Sequence, residues 1–281
     1  MSLPSNPSFS HFKEKCICCE ETGKRMNKEH VYPQWLLKRT KCEKIYMNSP
    51  YGKIPGDQLT IPLCEECNLK LGKQLEEPVS CIFEKIETGN GFNDFEADIL
   101  VRWVWKIKGM FYWSICNKDW LYGYKSLGEH VLKPIEIHRS RISIGIALIE
   151  DAFENKDFGY APIGLDSFTL WSNVYVVGVF SKISLVVFYT SMKDYINDNI
   201  WTIYTLSDFP LMLNPNKNTF PKVTFSTATR AVKITNLLLG HDTPIEKEHE
   251  KIALEQRSKW RYIIQHRVDL PVQSGAPHDT F

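Results

Sequence analysis

Cys16-Ile17-Cys18-Cys19, Glu29-His30-Val31-Tyr32-Pro33 and Cys64-Glu65-Glu66-Cys67-Asn68 all lie between Cys16 and Leu75, and the rest of the chain is read outward from them. Two C-x-x-C pairs bracket a single Glu-His. A C-x-x-C pair sends two thiolates from one tight turn toward one metal ion, and two such pairs complete a closed tetrahedron, the usual structural zinc site. Cys16, Cys19, Cys64 and Cys67 are the expected ligands. Cys18 lies inside the first pair and can replace Cys16 or Cys19, because C-x-C spacing also binds metals. Four thiolates leave no open position for water, so this zinc is structural, and its binding supplies part of the folding free energy of a module too small to be held by its core alone. The ion would draw Asn68 and the helix after it toward the segment carrying Glu29-His30. A carboxylate, an imidazole and an amide near one point suit metal-assisted phosphodiester hydrolysis.

On these residues the stretch resembles the HNH endonucleases, whose small ββα-metal fold often carries such a zinc clamp. The resemblance rests on the C-x-x-C pair, on Glu-His-Val-x-Pro-x-Trp-Leu (29 to 36) and on Leu-Cys-x-x-Cys-Asn-x-x-x-Gly (63 to 72), and it covers roughly residues 14 to 80. It implies that His30 is the general base that activates water, a task that suits an imidazole whose ordinary pKa of ~6.5 leaves the neutral form available. It implies that Glu29 ligates the catalytic divalent ion, at a place often held by Asp. Asn68 would be a second metal ligand, as in the HNH domain of CRISPR effectors, where other HNH proteins carry His. A carboxylate with an amide oxygen favours a hard ion, Mg2+ or Mn2+, over a second zinc. Taken without the resemblance, His30 is an ordinary histidine or a substitute zinc ligand, Glu29 a solvated glutamate, and Asn68 a helix cap. Adjacent strand residues point to opposite faces, so Glu29 and His30 serve one site only at an irregularity or at a strand's end. The middle Asn of the family motif is missing. Its place falls near Asp57, Gln58 or Leu59, and Gln58 is the substitute amide that could orient His30. Lys73 falls at the end of the motif, as a phosphate contact or a solvated lysine.

The formal net charge of +1 over 281 residues does not advertise a nucleic-acid partner. Residues 1 to 75, however, hold twelve Lys/Arg against eight Asp/Glu, a local excess of four positive charges. Lys13, Lys15, Lys24, Arg25, Lys28, Lys38 and Arg39 belong to that excess and would give sequence-independent phosphate contacts. Met1 to Ser10 lacks the basic and apolar regions of a signal peptide. No apolar run approaches the ~20 residues that span a bilayer. Paired cysteines in such a chain read as metal ligands in a cytoplasmic protein rather than as disulfides. Cys42, Cys81 and Cys116 are isolated and receive no role. His11, His130, His138, His241, His249, His266 and His278 form no motif at ligand spacing.

The expected fold is α+β: a zinc-stabilised ββα-metal module followed by a helix and an antiparallel sheet. Residues 1–13 read as a Ser/Pro-rich leader, 14–80 as the nuclease-like module, 81–270 as an α+β accessory, substrate or partner-binding domain, and 271–281 as a polar tail. Inside the module, Val31 to Arg39 predicts a short helix with Pro33 at its start. Tyr46 to Thr60, rich in Pro, Gly, Asn and Asp, predicts a loop. Gln58 to Leu63 predicts a strand, and Asn68 to Glu77 a helix that ends at Pro78. Glu96 to Ile115 is the clearest helix, with Leu100, Trp103, Val104, Ile107 and Phe111 on one stripe and Arg102, Lys106 and Lys108 elsewhere on the wheel. Its aromatic residues (Trp103, Trp105, Phe111, Tyr112, Trp113) read as core rather than as a base-stacking platform. Strands are expected at 142–149, 174–180, 183–190, 200–206 and 223–226, with 174–189 a hairpin, and a charged amphipathic helix at 246–265.

These readings lead to an HNH endonuclease acting on DNA, with RNA open as the substrate, of the kind that resembles restriction and phage-defence effectors. A regulatory protein partner or a homodimer would gate it, since an ungated nuclease is toxic. The other readings are a zinc-scaffolded module that holds nucleic acid or protein without cutting, and a zinc knuckle in an interaction protein.

Overall fold

The structure is a computed structural model that describes residues 15–49, 52–116, 126–136, 139–151, 163–167, 175–190, 193, 201–209, 212 and 223–227. The expected leader, the helix at 246–265 and the tail at 271–281 lie outside the described residues.

The cysteine-rich stretch forms a minimal sheet. Strand β1 (Met26–His30) pairs antiparallel with β4 (Thr60–Cys64), with Met26 opposite Cys64 and His30 opposite Thr60. Between them runs α1 (Gln34–Thr40), entered through Pro33, whose fixed φ of −59° suits a helix start. Lys41 closes the helix in the left-handed conformation, and its N–H and that of Cys42 bond back to Lys38 and Leu37. The segment expected as loop is instead a second antiparallel pair, β2 (Tyr46–Ser49) with β3 (Gly52–Pro55), followed by one 3₁₀ turn at Gly56–Gln58. Gly52 and Pro55 sit at the two ends of β3, where no ladder bond is lost.

After β4 the chain turns directly into α2 (Glu65–Leu71), passes through a π-helical turn (Gly72–Glu76) and continues as α3 (Glu77–Glu87). The expectation that Pro78 ends the helix is therefore corrected. Proline lacks the N–H that would bond four residues back, but in the first turn of α3, after the π turn has shifted the ladder, that donor is not required. The π turn also turns both Leu75 and Glu76 inward.

Helix α4 (Asp94–Cys116) begins with a reciprocal cap in which the Glu96 amide donates to the Asn93 side chain and the Asn93 amide to the Glu96 carboxylate. It is buried on all sides from Ala97 to Met110, including Arg102, Lys106 and Lys108. The three cations are not on a solvent face because α4 is enclosed by α3, the π turn, a short α5 (Leu127–Val131) and a sheet. Trp103 and Trp105 are core, as expected.

That sheet has six strands: β5 (Ile142–Asp151), β6 (Ile163–Ser167), β7 (Tyr175–Phe180), β8 (Ile183–Tyr189), β9 (Thr202–Thr205) and β10 (Val223–Thr227). The order β6-β7-β8-β5 is antiparallel, and the expected hairpin is β7–β8, turned at Ser181 with φ 57°. The far edge of β5 is shared. Ser143 to Ile146 pair with β9, and Leu148 to Asp151 with β10. The β10 pairing is parallel, so the sheet is mixed rather than wholly antiparallel. One hydrophobic core runs from Cys16 to Phe209 without interruption. Trp103 is its centre: its ring meets Trp35 at 6.2 Å, Phe83 at 5.4 Å and Phe180 of β7 at 4.9 Å.

Candidate metal centre and the adjoining polar network

The first cysteine pair lies in a tight turn. The Glu20 amide donates to the Cys16 carbonyl at 2.7 Å, and the Cys16 amide to the Glu21 carbonyl at 3.0 Å. The second pair spans the β4–α2 junction, with Cys64 at the N-cap position and Cys67 in the first turn. The β1–β4 pairing brings the two turns together, and the Sγ atoms of Cys16, Cys19, Cys64 and Cys67 all lie within 4.8 Å of one another. Cys19 and Cys64 are 3.9 Å apart. A zinc–sulfur distance of ~2.3 Å puts the edge of a tetrahedral site at about 3.8 Å, so the four sulfurs fit a zinc ion. The Cys64 amide also donates to Cys16 Sγ at 3.3 Å, the kind of bond that holds a thiolate.

The protonation of these thiols shows what the ion would do. Burial pushes the Cys16 and Cys67 thiols up. Burial also acts upward on Cys64, but hydrogen bonds from Cys67 and the neighbouring thiols outweigh it, and Cys64 is lowered. A bound zinc ion would hold the four as thiolates, so its binding would release protons. Cys18 is not one of the four. Its carbonyl accepts from the Gly128 amide at 2.9 Å, its Sγ lies against Gly128, and burial raises its thiol to about 12. A methyl group added at Gly128 would stand 2.6 Å from that carbonyl oxygen, so the docking of α5 on the cysteine turn requires glycine.

Glu29 and His30 are the last two residues of β1. The pairing stays regular beyond them, because the Val31 amide donates to the Leu59 carbonyl at 3.0 Å. The two side chains therefore leave opposite faces, and it is their place at the end of β1 that would let both serve one site. Glu29 is directed at α4, where its Oε1 accepts from Lys106 Nζ at 2.7 Å. Lys106 is completely buried and is shared with Glu76, whose Oε1 it also bonds. Trp35 Nε1 completes the network by donating to Glu76 Oε2 at 3.1 Å. Burial alone would lower the lysine, but the charges of Glu76 and Glu29 outweigh it and Lys106 is raised. Glu29 is thus a paired carboxylate rather than a solvated one. Among the described residues its Oε2 has no hydrogen-bond partner.

His30 is half-buried at the strand's end. Asn68 is half-buried in the middle of α2, which packs on β1 and β4. It does not cap the helix, since Cys64 holds that position. Gln58 and Lys73 are exposed.

Motif reading gave Glu76 and Lys106 no part in the site, and it counted Trp35 in the 29–36 motif without a role. Lys106 gave a signal: a lysine between Trp105 and Ile107 on a helix this apolar must bury its charge against carboxylates. Nothing in its neighbourhood named them, because they lie 30 and 77 residues away.

Much of the expected basic surface is neutralised within the fold. Lys15 pairs with Glu20, Lys24 with Glu21 and Glu66, Arg25 with Glu65 and Arg39 with Glu87. Lys28 and Lys38 are exposed and form no ion pair among the described residues, and Lys13 lies outside them. Among the described residues no helix is long and apolar enough to cross a membrane. Comparison of the chain with models of protein families, with curated proteins and with solved structures finds no match.

Proposed function

We propose that this chain is a metal-dependent endonuclease of the HNH type that hydrolyses phosphodiester bonds in DNA. The observation that carries the reading is the strand–strand–helix unit closed by four cysteines: β1 ends in Glu29-His30, and β4 runs through Cys64 and Cys67 into Asn68. In this reading His30, as neutral imidazole, takes a proton from water as that water attacks phosphorus. Glu29 Oε2 and the Asn68 amide oxygen would hold one Mg2+ or Mn2+, which supplies charge neutralisation at the phosphoryl and leaving 3′ oxygens. The products carry 5′-phosphate and 3′-hydroxyl ends. Lys28 and Lys38, exposed and without an ion pair among the described residues, would meet the phosphate backbone. The six-stranded sheet would serve substrate choice or a regulatory partner, in a restriction or phage-defence setting.

One observation favours a second reading. Glu29 already has a cation, Lys106, and a carboxylate so paired fits a zinc-scaffolded module that binds nucleic acid or protein without cutting. Plasmid DNA incubated with zinc-replete protein and Mn2+, beside a His30→Ala variant of equal zinc content, separates the two. Cleavage lost in the variant is the expected result. Equal cleavage by both removes His30 from the chemistry, and a mobility shift without cleavage, the same in both, gives the binding module.

A further inference from the structure

The trio of Glu29, Lys106 and Glu76 is unusual in being both buried and unbalanced. Two carboxylates face one ammonium, which leaves one negative charge in a site from which water is largely excluded. Desolvating three charges is expensive, and an apolar trio of the same size would stabilise the fold at least as well. The arrangement therefore calls for a purpose other than stability. Its geometry is directional. Lys106 takes Oε1 of Glu29 and Oε1 of Glu76, and Trp35 takes Oε2 of Glu76. Among the described residues every carboxylate oxygen of the trio is engaged except Glu29 Oε2. The π turn exists where Glu76 must face inward, and α4 supplies the lysine from beyond the cysteine-rich stretch.

We propose that Lys106 and Glu76 are positioning residues for Glu29: the lysine fixes the carboxylate through one oxygen so that the other is presented, and Glu76 offsets the lysine's charge so that the presented oxygen still attracts a divalent cation. The proposal rests on the reading of Glu29 as a ligand to that cation. It makes α4 part of the site, so residues 14–80 alone would hold the cation poorly even with zinc in place. Outer partners of this kind change metal affinity or activity by about 10–100-fold when removed.

The test is Mn2+ binding by electron paramagnetic resonance on the full-length, zinc-loaded protein, with zinc content measured in every sample. The informative variant is the double substitution Lys106→Met with Glu76→Gln. It removes one charge of each sign, leaves the net charge of the trio unchanged, and so reports orientation alone. The Mn2+ dissociation constant should rise about 10-fold or more. Glu76→Gln alone keeps the size of the side chain, and serves if the double variant does not fold. It brings the trio to neutrality and should also weaken Mn2+ binding, by about 10-fold. Affinity equal to the native protein in either folded, zinc-replete variant overturns the proposal, and tighter binding would make Lys106 a competitor of the cation instead. Glu29→Gln distinguishes this failure from failure of the underlying reading. If native protein binds no Mn2+, or binds it equally after Glu29→Gln, Glu29 is not a ligand and both ideas fall. If Glu29→Gln abolishes binding while the double variant binds normally, only the positioning role falls.

Discussion

Strand β1 has no fully buried residue along its five positions, whereas six of the seven residues of β8 are buried. The two strands sit in one continuous core, yet they are held differently. β8 lies between β5 and β7 and gains from apolar burial on its whole length. Among the described residues β1 has a single partner, β4, and the pairing is fixed at one end by sulfur and at the other by the ion pair of Glu29 with Lys106. A few long-range polar fastenings there do what many apolar contacts do in the sheet. Such fastenings hold a strand end that is only half-buried, which a site needs and a core strand cannot offer.

Removing the zinc should break this contrast most visibly. Elemental analysis should find one zinc per chain, and a structural zinc is worth roughly 10–16 kcal/mol in zinc-finger peptides at neutral pH. After chelation, or in Cys64→Ser, amide exchange should accelerate over residues 26–30 and 60–71 while amides of β5, β7 and β8 remain protected. Simultaneous loss in both regions would show that the core unfolds as one unit and that the difference between the strands is only one of local appearance.

Trp103→Ala acts on the joint between the two regions. Trp103 is fully buried against Trp35 on one side and Phe180 on the other. The expected loss is about 3–5 kcal/mol in denaturant unfolding, with zinc stoichiometry unchanged. A variant that also lost its zinc would mean that the cysteine-rich stretch depends on the sheet for its shape.

The gentlest probe is pH. His130, stacked on Trp105 at 4.6 Å, is pushed down to about 3 by burial and by the charge of Lys108. A histidine whose pKa is lower when folded than its ordinary ~6.5 binds its proton more readily in the unfolded chain, so stability is complete above pH ~6.5 and falls as pH drops toward 3. Lys108, lowered to about 7 by burial, works in the same sense, and stability gains further between about pH 7 and 10.5. Thermal melts of the zinc-loaded protein between pH 5 and 9 should show the midpoint rising with pH. A His130→Phe variant should flatten the acid side, and an unchanged slope would assign it to zinc release by the cysteines.

The four cysteines could be read directly because ligand spacing is a local property. Two residues between thiols suffice to aim them at one ion, and the order of the motifs forces the two turns to meet. The strands at 142–149, 174–180 and 183–190 were legible for a similar reason, since β-branched runs between turn residues encode their own period. The β2–β3 pair was hidden because Gly52 and Pro55 bound so short a strand, and β6 because Ile163–Ser167 is short and holds Gly164 and Asp166.

Sequence alone determined that Cys16, Cys19, Cys64 and Cys67 form a zinc-sized thiol cluster and that α4 is a core helix; that Glu29 and His30 end a strand came from the fold. Only the tertiary structure decided that Glu29 is a carboxylate ion-paired with Lys106, that Glu76 shares this lysine, and that the basic residues near the cysteines are largely neutralised. The physical reason is distance along the chain. Periodicity and ligand spacing act over a few residues, whereas a buried charge takes whichever partner packing brings to it, and that partner is known only when the helices have docked.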